Sequence, residues 1–368
     1  MTAAIYLADQ HPERDRSLGI TRATLAIAEV MRGRVDWVQV VSRSSVRLPE
    51  GLAAETVVLP FRTDRQVSRL GGDALHPALA RPDVDVWFYP KGFLVSPVPP
   101  GAPTLALVHD AILDHYARLY PGDRSRLAMG FWLAQLRASL RRASRVATVS
   151  ETARGQILDF CARSGIEAPP VDVIFATAAF ETTEPMRAEP PFALHLGSGA
   201  PHKRTGWLID AWQALTEAGR DLPPLHVVGG LPDDLRARLG AVPGAVAHGR
   251  VTDDELVRLY REAAVLVFPS EIEGFGLPLL ESVALGTPVV FAEGTAVHEI
   301  ARHATEAGAF PLTDPARLGD AVEAALATPR EEIVRMQGAL REAFAPHRLA
   351  DRVEAALRAA VRRETVPA

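Results

Sequence analysis

Glu273 and Glu281 stand eight positions apart in the run Glu273-Gly-Phe-Gly-Leu-Pro-Leu-Leu-Glu281. Ionised carboxylates only accept hydrogen bonds, so the pair suits a ligand rich in hydroxyls, such as a sugar or a ribose. Gly274 and Gly276 allow a ligand close to the backbone, and Pro278 fits the first turn of a helix that starts near Leu277. Free amides at such a helix start carry partial positive charge and suit an anionic diphosphate. Glu281 follows Leu277 by four residues and Pro278 by three, so it shares their face one turn into the helix. The plainer alternative is a solvated helix glutamate behind glycines that only cap.

A second candidate is Phe192–Arg204, where a strand-like run ends in Gly197, Ser198 and Gly199 before a helix with Leu208, Ala211, Trp212 and Leu215 on one face. Here too the backbone can approach phosphate. A dinucleotide fingerprint fails, because His202 occupies the third glycine position and no acidic residue ends the next strand, Leu225–Gly229. Lys203 suits charge stabilisation instead: an ammonium beside a departing diphosphate offsets the charge that develops as a bond to it breaks. The alternative is a solvated lysine at a helix start.

In the first half, Thr104–Asp110 reads as a buried strand that delivers His109 and Asp110 to the carboxyl edge of a sheet, where ligands bind in doubly wound folds. A structural histidine explains His109 equally simply. A metal cluster of His109, Asp110, Asp114 and His115 has the right ligand types, but its spacing supplies no obvious closed shell. Gly19 and Arg22 precede or open a helix with Ile20, Leu25, Ala28 and Met31, and could touch phosphate or an acceptor. Six arginines and no acidic residue lie between Arg124 and Ser150. Such a helix suits anionic lipid, or packs on the surface by its apolar stripe.

These residues need a scaffold that gathers loops. Apolar runs at Ala3–Ala8, Trp37–Ser42, Thr56–Pro60, Val84–Pro90, Thr104–His109 and Arg145–Ser150 alternate with helical patterns, and the same alternation recurs at Phe192–Gly197, Leu225–Gly229, Ala263–Pro269 and Pro288–Ala292. Continuous apolar strands suit parallel sheets covered on both faces. The expected fold class is α/β, with two Rossmann-like doubly wound domains and a crevice between them. The expected boundaries are residues 1–178, a proline-rich linker over 179–191, 192–344, and a terminal helical segment over 345–368 that crosses back to the first domain.

At 368 residues, 48% of them hydrophobic, the chain has the length and composition of two globular domains. A net charge of −5 argues against a general nucleic-acid binder. The single cysteine, Cys161, excludes an intramolecular disulfide and fits a reducing compartment. No run reads as a signal peptide or a membrane span.

The stretch Glu273–Glu281 resembles the E-x7-E signature of retaining family-4 glycosyltransferases of the GT-B fold. Gly249-Arg-Val-Thr-Asp-Asp-Glu-Leu256, Phe268-Pro-Ser270 and Gly286-Thr-Pro-Val-Val290 resemble that family as well. The resemblance implies that Glu273 and the amides of Phe275, Gly276 and Leu277 hold a donor sugar, and that Glu281 holds the ribose of a nucleotide. It implies Gly197, Ser198, Lys203 and Arg204 at the donor diphosphate, with Ser198 where the family has an arginine; Arg204, His202 or Ser198 itself would replace that contact. His109 would contact the donor sugar, with Asp110 orienting it, and Gly19 and Arg22 would lie in the glycine loop, where Thr21 replaces a commoner glycine. The implied activity is that of a metal-independent, cofactor-free hexosyltransferase, using a GDP- or UDP-sugar of mannosyl or glucosyl type and a glycan, lipid-linked or small-molecule acceptor. Its expected place is the cytoplasm, with peripheral membrane contact through 124–145 as an option. The rivals are an epimerase of the same fold and a sensor that binds the nucleotide sugar without turning it over.

Overall fold

Strands made only of Val, Ile, Leu, Ala and aromatic residues have no solvent face, and such strands need helices on both sides of the sheet. The computed structural model, which describes residues 1–10, 18–62, 83–94, 102–177, 183, 186 and 188–362, meets that need twice. The chain divides into two compact units, residues 1–177 with 346–368, and residues 178–345. Most of the expected linker lies outside the described residues. Within it, the Thr183 N–H donates to the Ala284 carbonyl and that of Ala188 to Glu262, both in the second unit.

In the first unit β1 (Thr2–Tyr6), β2 (Asp36–Val41), β3 (Ala53–Val58), β4 (Val86–Tyr89), β5 (Thr104–Leu107), β6 (Arg145–Thr148) and β7 (Val171–Val173) form a parallel sheet in the order β3-β2-β1-β4-β5-β6-β7. Its helices are α1 (Leu18–Val30), α2 (Ile112–Leu119), α3 (Arg126–Arg142), α4 (Glu151–Arg163) and, from the far end of the chain, α12 (Pro346–Arg362). Leu349, Ala350, Val353, Ala356, Leu357 and Ala360 form the buried stripe of α12, at helical spacing. This stripe packs on α1 and on β4 to β6. Arg34 fixes α12 at the surface through Asp351 (2.6 Å) and Glu354 (3.2 Å).

The second unit has β8 (Ala193–Leu196), β9 (Leu225–Val228), β10 (Val246–Gly249), β11 (Val265–Phe268), β12 (Val289–Ala292) and β13 (Ala309–Phe310), again parallel, in the order β10-β9-β8-β11-β12-β13. Around them lie α5 (Thr205–Glu217), α6 (Asp233–Gly240), α7 (Asp253–Glu262), α8 (Leu277–Ala284), α9 (Ala296–Ala301), α10 (Pro315–Leu326) and α11 (Arg330–Ala343). The core gathers Leu208, Trp212, Val227, Val265, Val267 and Phe310. Both sheets reverse strand order beside their first strand, the place where doubly wound folds open a ligand site at the carboxyl ends.

Candidate active site

The reversal in the second unit lies between β8 and β11, which are hydrogen-bonded neighbours. The loop leaving β8 carries Gly197 to Arg204, and the loop leaving β11 carries Glu271 to Gly276. Two stretches some 70 residues apart in sequence therefore emerge side by side. The Gly197 N–H donates to the Val228 carbonyl (2.8 Å), which extends the ladder and aims the loop.

His195, buried on β8, organises the start of that loop. The Val267 carbonyl, 3.0 Å from Nδ1, can only accept, so Nδ1 carries the proton and Nε2 accepts from the Thr205 hydroxyl at 3.0 Å. Thr205 Oγ1 in turn accepts from the Ser198 N–H at 3.2 Å. Burial, with the nearby Lys203 charge adding to it against the Val267 bond, pushes the His195 pKa down to about 4. Protonation would place a charge in a buried site and force the Thr205 hydroxyl to turn its own hydrogen away from Nε2. A histidine whose pKa is depressed on folding gives stability that is complete above its free value of 6.5 and lost as pH falls toward 4, roughly 3 kcal/mol at most. Denaturant midpoints from pH 7.5 to 4.5 should therefore fall with a slope that His195→Asn flattens by about one proton. Equal slopes in both proteins would contradict this. The comparison is a difference because His226, also held near 4 by burial and by His248, titrates in both.

A 3-10 turn, Pro201–Lys203, carries the lysine across to the neighbouring loop. Lys203 Nζ donates to Glu273 Oε1 at 2.7 Å and lies 5.4 Å from the centre of the Phe268 ring. It is no solvated lysine. Burial alone would raise the Glu273 carboxyl, but the Lys203 ammonium, with smaller help from His202 and Ser270, outweighs burial and holds it below its ordinary value. Glu273 is thus a carboxylate at neutral pH, and the pair sets one cation and one anion at the mouth of the reversal.

Of the three residues that could replace the missing arginine, two are engaged locally. The Ser198 hydroxyl accepts from the Ala200 N–H at 3.2 Å, which closes the turn. Arg204, left-handed at φ 52°, places its guanidinium on the Glu271 carboxylate, and the Glu271 N–H donates to the His202 carbonyl at 2.9 Å. These contacts stitch the two loops together. His202 acts on the same carboxylate, helping to lower the Glu273 pKa after the larger effect of Lys203.

α8 starts at Leu277 with Gly276 as its cap, at φ 121°, a conformation that disfavours any side chain; an added Cβ would also lie 3.1 Å from Val297 Cγ2. The Phe275 side chain turns inward and meets Phe344 edge-on at 5.5 Å, so only its backbone is available to a ligand. Glu281 is buried, 6% exposed, and accepts from the Tyr260 hydroxyl at 3.1 Å. That removes the solvated-glutamate alternative.

In the first unit His109 Nε2 lies 2.9 Å from the Pro90 carbonyl. Because a carbonyl accepts, Nε2 carries the proton; burial lowers the His109 pKa despite that bond, so the ring is neutral with Nδ1 as an acceptor. Asp110 Oδ1 accepts from the Ile112 N–H at 2.9 Å and shapes the start of α2. Asp114 is taken by Arg118 (3.0 Å) and Arg163 (2.6 Å), which sets it apart from His109 as a joint metal ligand. Gly19 sits in the first turn of α1 with open space at its Cβ position, and Arg22 lies one turn on, partly buried. The buried Thr21 hydroxyl donates to Gln10 (3.3 Å).

His195, Thr205 and Tyr260 were not singled out from sequence. Their signal is the neighbourhood that strand order creates, which local spacing does not carry.

Two parallel doubly wound sheets, each with a strand-order reversal beside its first strand, are the architecture of the GT-B fold. Residues 190–328 match the family model described as Glycosyl transferases group 1. The chain is 28% identical over 330 residues to the phosphatidyl-myo-inositol mannosyltransferase of Mycobacterium leprae, covering 86% of this chain and 85% of that one. It is 29% identical over 212 residues to O-antigen chain mannosyltransferase B of Escherichia coli, a match spanning 52% of this chain and 53% of that protein. HepE of Anabaena, solved in complex with UDP and glucose, superposes with a TM-score of 0.69 at 16% identity, covering 98% of this chain and 100% of that one. The fold is that of GT-B glycosyltransferases, and the chain is a glycosyltransferase whose second unit carries the group 1 glycosyl transferase module.

Proposed function

We propose that the chain transfers a mannosyl- or glucosyl-type sugar from a GDP- or UDP-sugar to a glycan, lipid-linked or small-molecule acceptor, with retention at the anomeric carbon and without a metal or other cofactor. The observation that carries this reading is the Lys203–Glu273 pair, 2.7 Å apart beside the cap of α8. A diphosphate at the loop amides meets the ammonium, and the sugar hydroxyls meet the carboxylate. The two mannosyltransferase relatives support the mannosyl type, and the UDP and glucose bound by HepE support a uridine donor and a glucosyl type.

In this reading the bond between the anomeric carbon and the diphosphate oxygen breaks, and its electron pair goes to the departing phosphate. Lys203 and the amides over 274–277 offset that charge. The acceptor oxygen then forms its bond on the same face and passes its proton to the departing phosphate oxygen. The reading assigns His109, Asp110, Gly19 and Arg22 to the sugar and acceptor; His109 offers Nδ1 to a hydroxyl.

A membrane-side acceptor is supported by one end of α3. No helix among the described residues is long and apolar enough to cross a membrane. Leu127 is 88% exposed, and Leu119 and Phe131 are exposed close to it in sequence, among Arg118, Arg124 and Arg126. Arg137, Arg142 and Arg145 are instead tied to Ser164, to the Ala138 carbonyl and to Asp172. Peripheral contact at the inner face of the membrane, if made by 124–145, is thus assigned to its amino end.

One experiment tests the set: diphosphate release from UDP-, GDP-, ADP- and dTDP-sugars in EDTA, with pooled acceptors in solution or on anionic vesicles, and NMR of the product anomer. Release from one donor that rises with acceptor, and rises further on vesicles, is expected. An inverted product or a trapped glycosyl-enzyme contradicts the mechanism, and no gain on vesicles contradicts the membrane contact. Donor conversion without acceptor indicates an epimerase, and binding without release a sensor.

A further inference from the structure

Glu281 poses a physical problem that the donor reading alone does not solve. It sits in the middle of α8, where Leu279, Leu280, Ser282, Val283 and Ala284 are all buried with it. A carboxylate taken out of water is expensive unless donors surround it, and a helix needing only cohesion there would carry an apolar residue. The polar group is kept there at a cost to the fold, and donors must hold it in place.

Tyr260 supplies one such donor. It lies near the end of α7, a helix opened by Thr252, whose hydroxyl accepts from the Glu255 N–H at 3.2 Å. The tyrosine is fully buried, and its ring crosses from α7 to α8 to place its hydroxyl 3.1 Å from Glu281 Oε2. Its backbone is anchored as well. The Thr287 hydroxyl donates to the Tyr260 carbonyl, and the Ser282 hydroxyl donates to the Thr287 carbonyl at 3.0 Å. The phenol therefore approaches from a framework that includes α8 itself.

We infer that Tyr260 is a positioning residue for the nucleotide: its O–H fixes the Glu281 carboxylate in the rotamer that accepts the vicinal 2′- and 3′-hydroxyls of the donor ribose. This rests on the assignment of Glu281 to the ribose. A carboxylate has about four lone-pair sites, and the phenol takes one of them on Oε2. Tyr260 touches no substrate; it removes the rotamer freedom that binding would otherwise have to freeze.

The test uses the full chain and calorimetric titration with UDP, GDP, ADP and their 2′,3′-dideoxy counterparts. Tyr260→Phe keeps the ring and deletes only the hydroxyl. For whichever of UDP, GDP and ADP the wild type binds best, Tyr260→Phe is expected to weaken affinity about tenfold while leaving the dideoxy affinity unchanged. In turnover assays the KM for the donor rises and kcat holds. Equal weakening of both nucleotides means a merely structural tyrosine and overturns the proposal, as does wild-type affinity for both. Glu281→Gln is measured alongside. If it shifts neither nucleotide relative to the other, the ribose assignment itself has failed, a result separate from the failure of Tyr260. Wild-type protein that binds none of the six overturns both.

Discussion

Lys203→Met is expected to reduce turnover by about 10²- to 10³-fold, since removing one preorganised electrostatic contact from a developing charge raises a barrier by about 3–4 kcal/mol. The ammonium now lies 2.7 Å from Glu273, so the substitution also takes the cation from a carboxylate whose side chain is 17% exposed. Burial, until then outweighed, raises the Glu273 carboxyl in the variant. This fixes the sign of the pH dependence. In the wild type Glu273 is depressed and contributes stability above its free value of 4.5 that is lost as pH falls. In Lys203→Met it is raised, so the variant loses about 1–3 kcal/mol at neutral pH and recovers part of it on acidification. Adding Glu273→Gln to Lys203→Met should restore the melting temperature and leave the chain inactive. Turnover within a few-fold of wild type in Lys203→Met would remove the lysine from the chemistry.

That pair shows what the sequence carries and where it stops. Residue types and short spacings were legible: the glycines, Pro278 and the two glutamates of one loop, and Lys203 in another. That Lys203 and Glu273 share an ion pair was not, because it depends on β8 lying next to β11, a fact of strand order. The same divide separates the strands. Central strands such as β1, β5 and β11 are continuous apolar runs and were read close to their observed limits. β7, β10 and β13, unread in the sequence, are three of the four sheet edges; the fourth, β3 (Ala53–Val58), was read a few residues late, as Thr56–Pro60. The three unread strands have three, four and two residues, and both β7 and β10 are partly or largely exposed, so neither apolar content nor alternation marks them. His195 was hidden for a related reason: within Phe192–Gly197 it is one more strand residue, and its importance comes from Val267 on the neighbouring strand and Thr205 on the next helix.

Strand order also fixes the glycine that, among the described residues, has the least room for a side chain. Gly229, just after β9, has φ +125°, and a Cβ there would lie 2.1 Å from the Gly197 carbonyl oxygen. Backbone cannot rotate aside as a side-chain tip can. To admit one methyl group, the carboxyl end of the β8–β9 ladder must open, breaking the bond from the Gly197 N–H to Val228 (2.8 Å) and pulling on the one from the Gly229 N–H to Gly249 (2.7 Å). Overpacking of about 1–3 kcal/mol and a disfavoured backbone conformation of similar size add, so Gly229→Ala should destabilise the second unit by about 3 kcal/mol or more. Gly230 is the control: no atom lies within 4 Å of its Cβ position, and Gly230→Ala should stay within about 0.5 kcal/mol. Denaturant titration of the two variants measures the difference. Because the strained peptide is Gly197 itself, nucleotide affinity in Gly229→Ala should fall even at temperatures where the unit stays folded, as the loop bearing Ser198 and Lys203 shifts. If the variants unfold alike, the close approach of these two strand ends is not what holds the site.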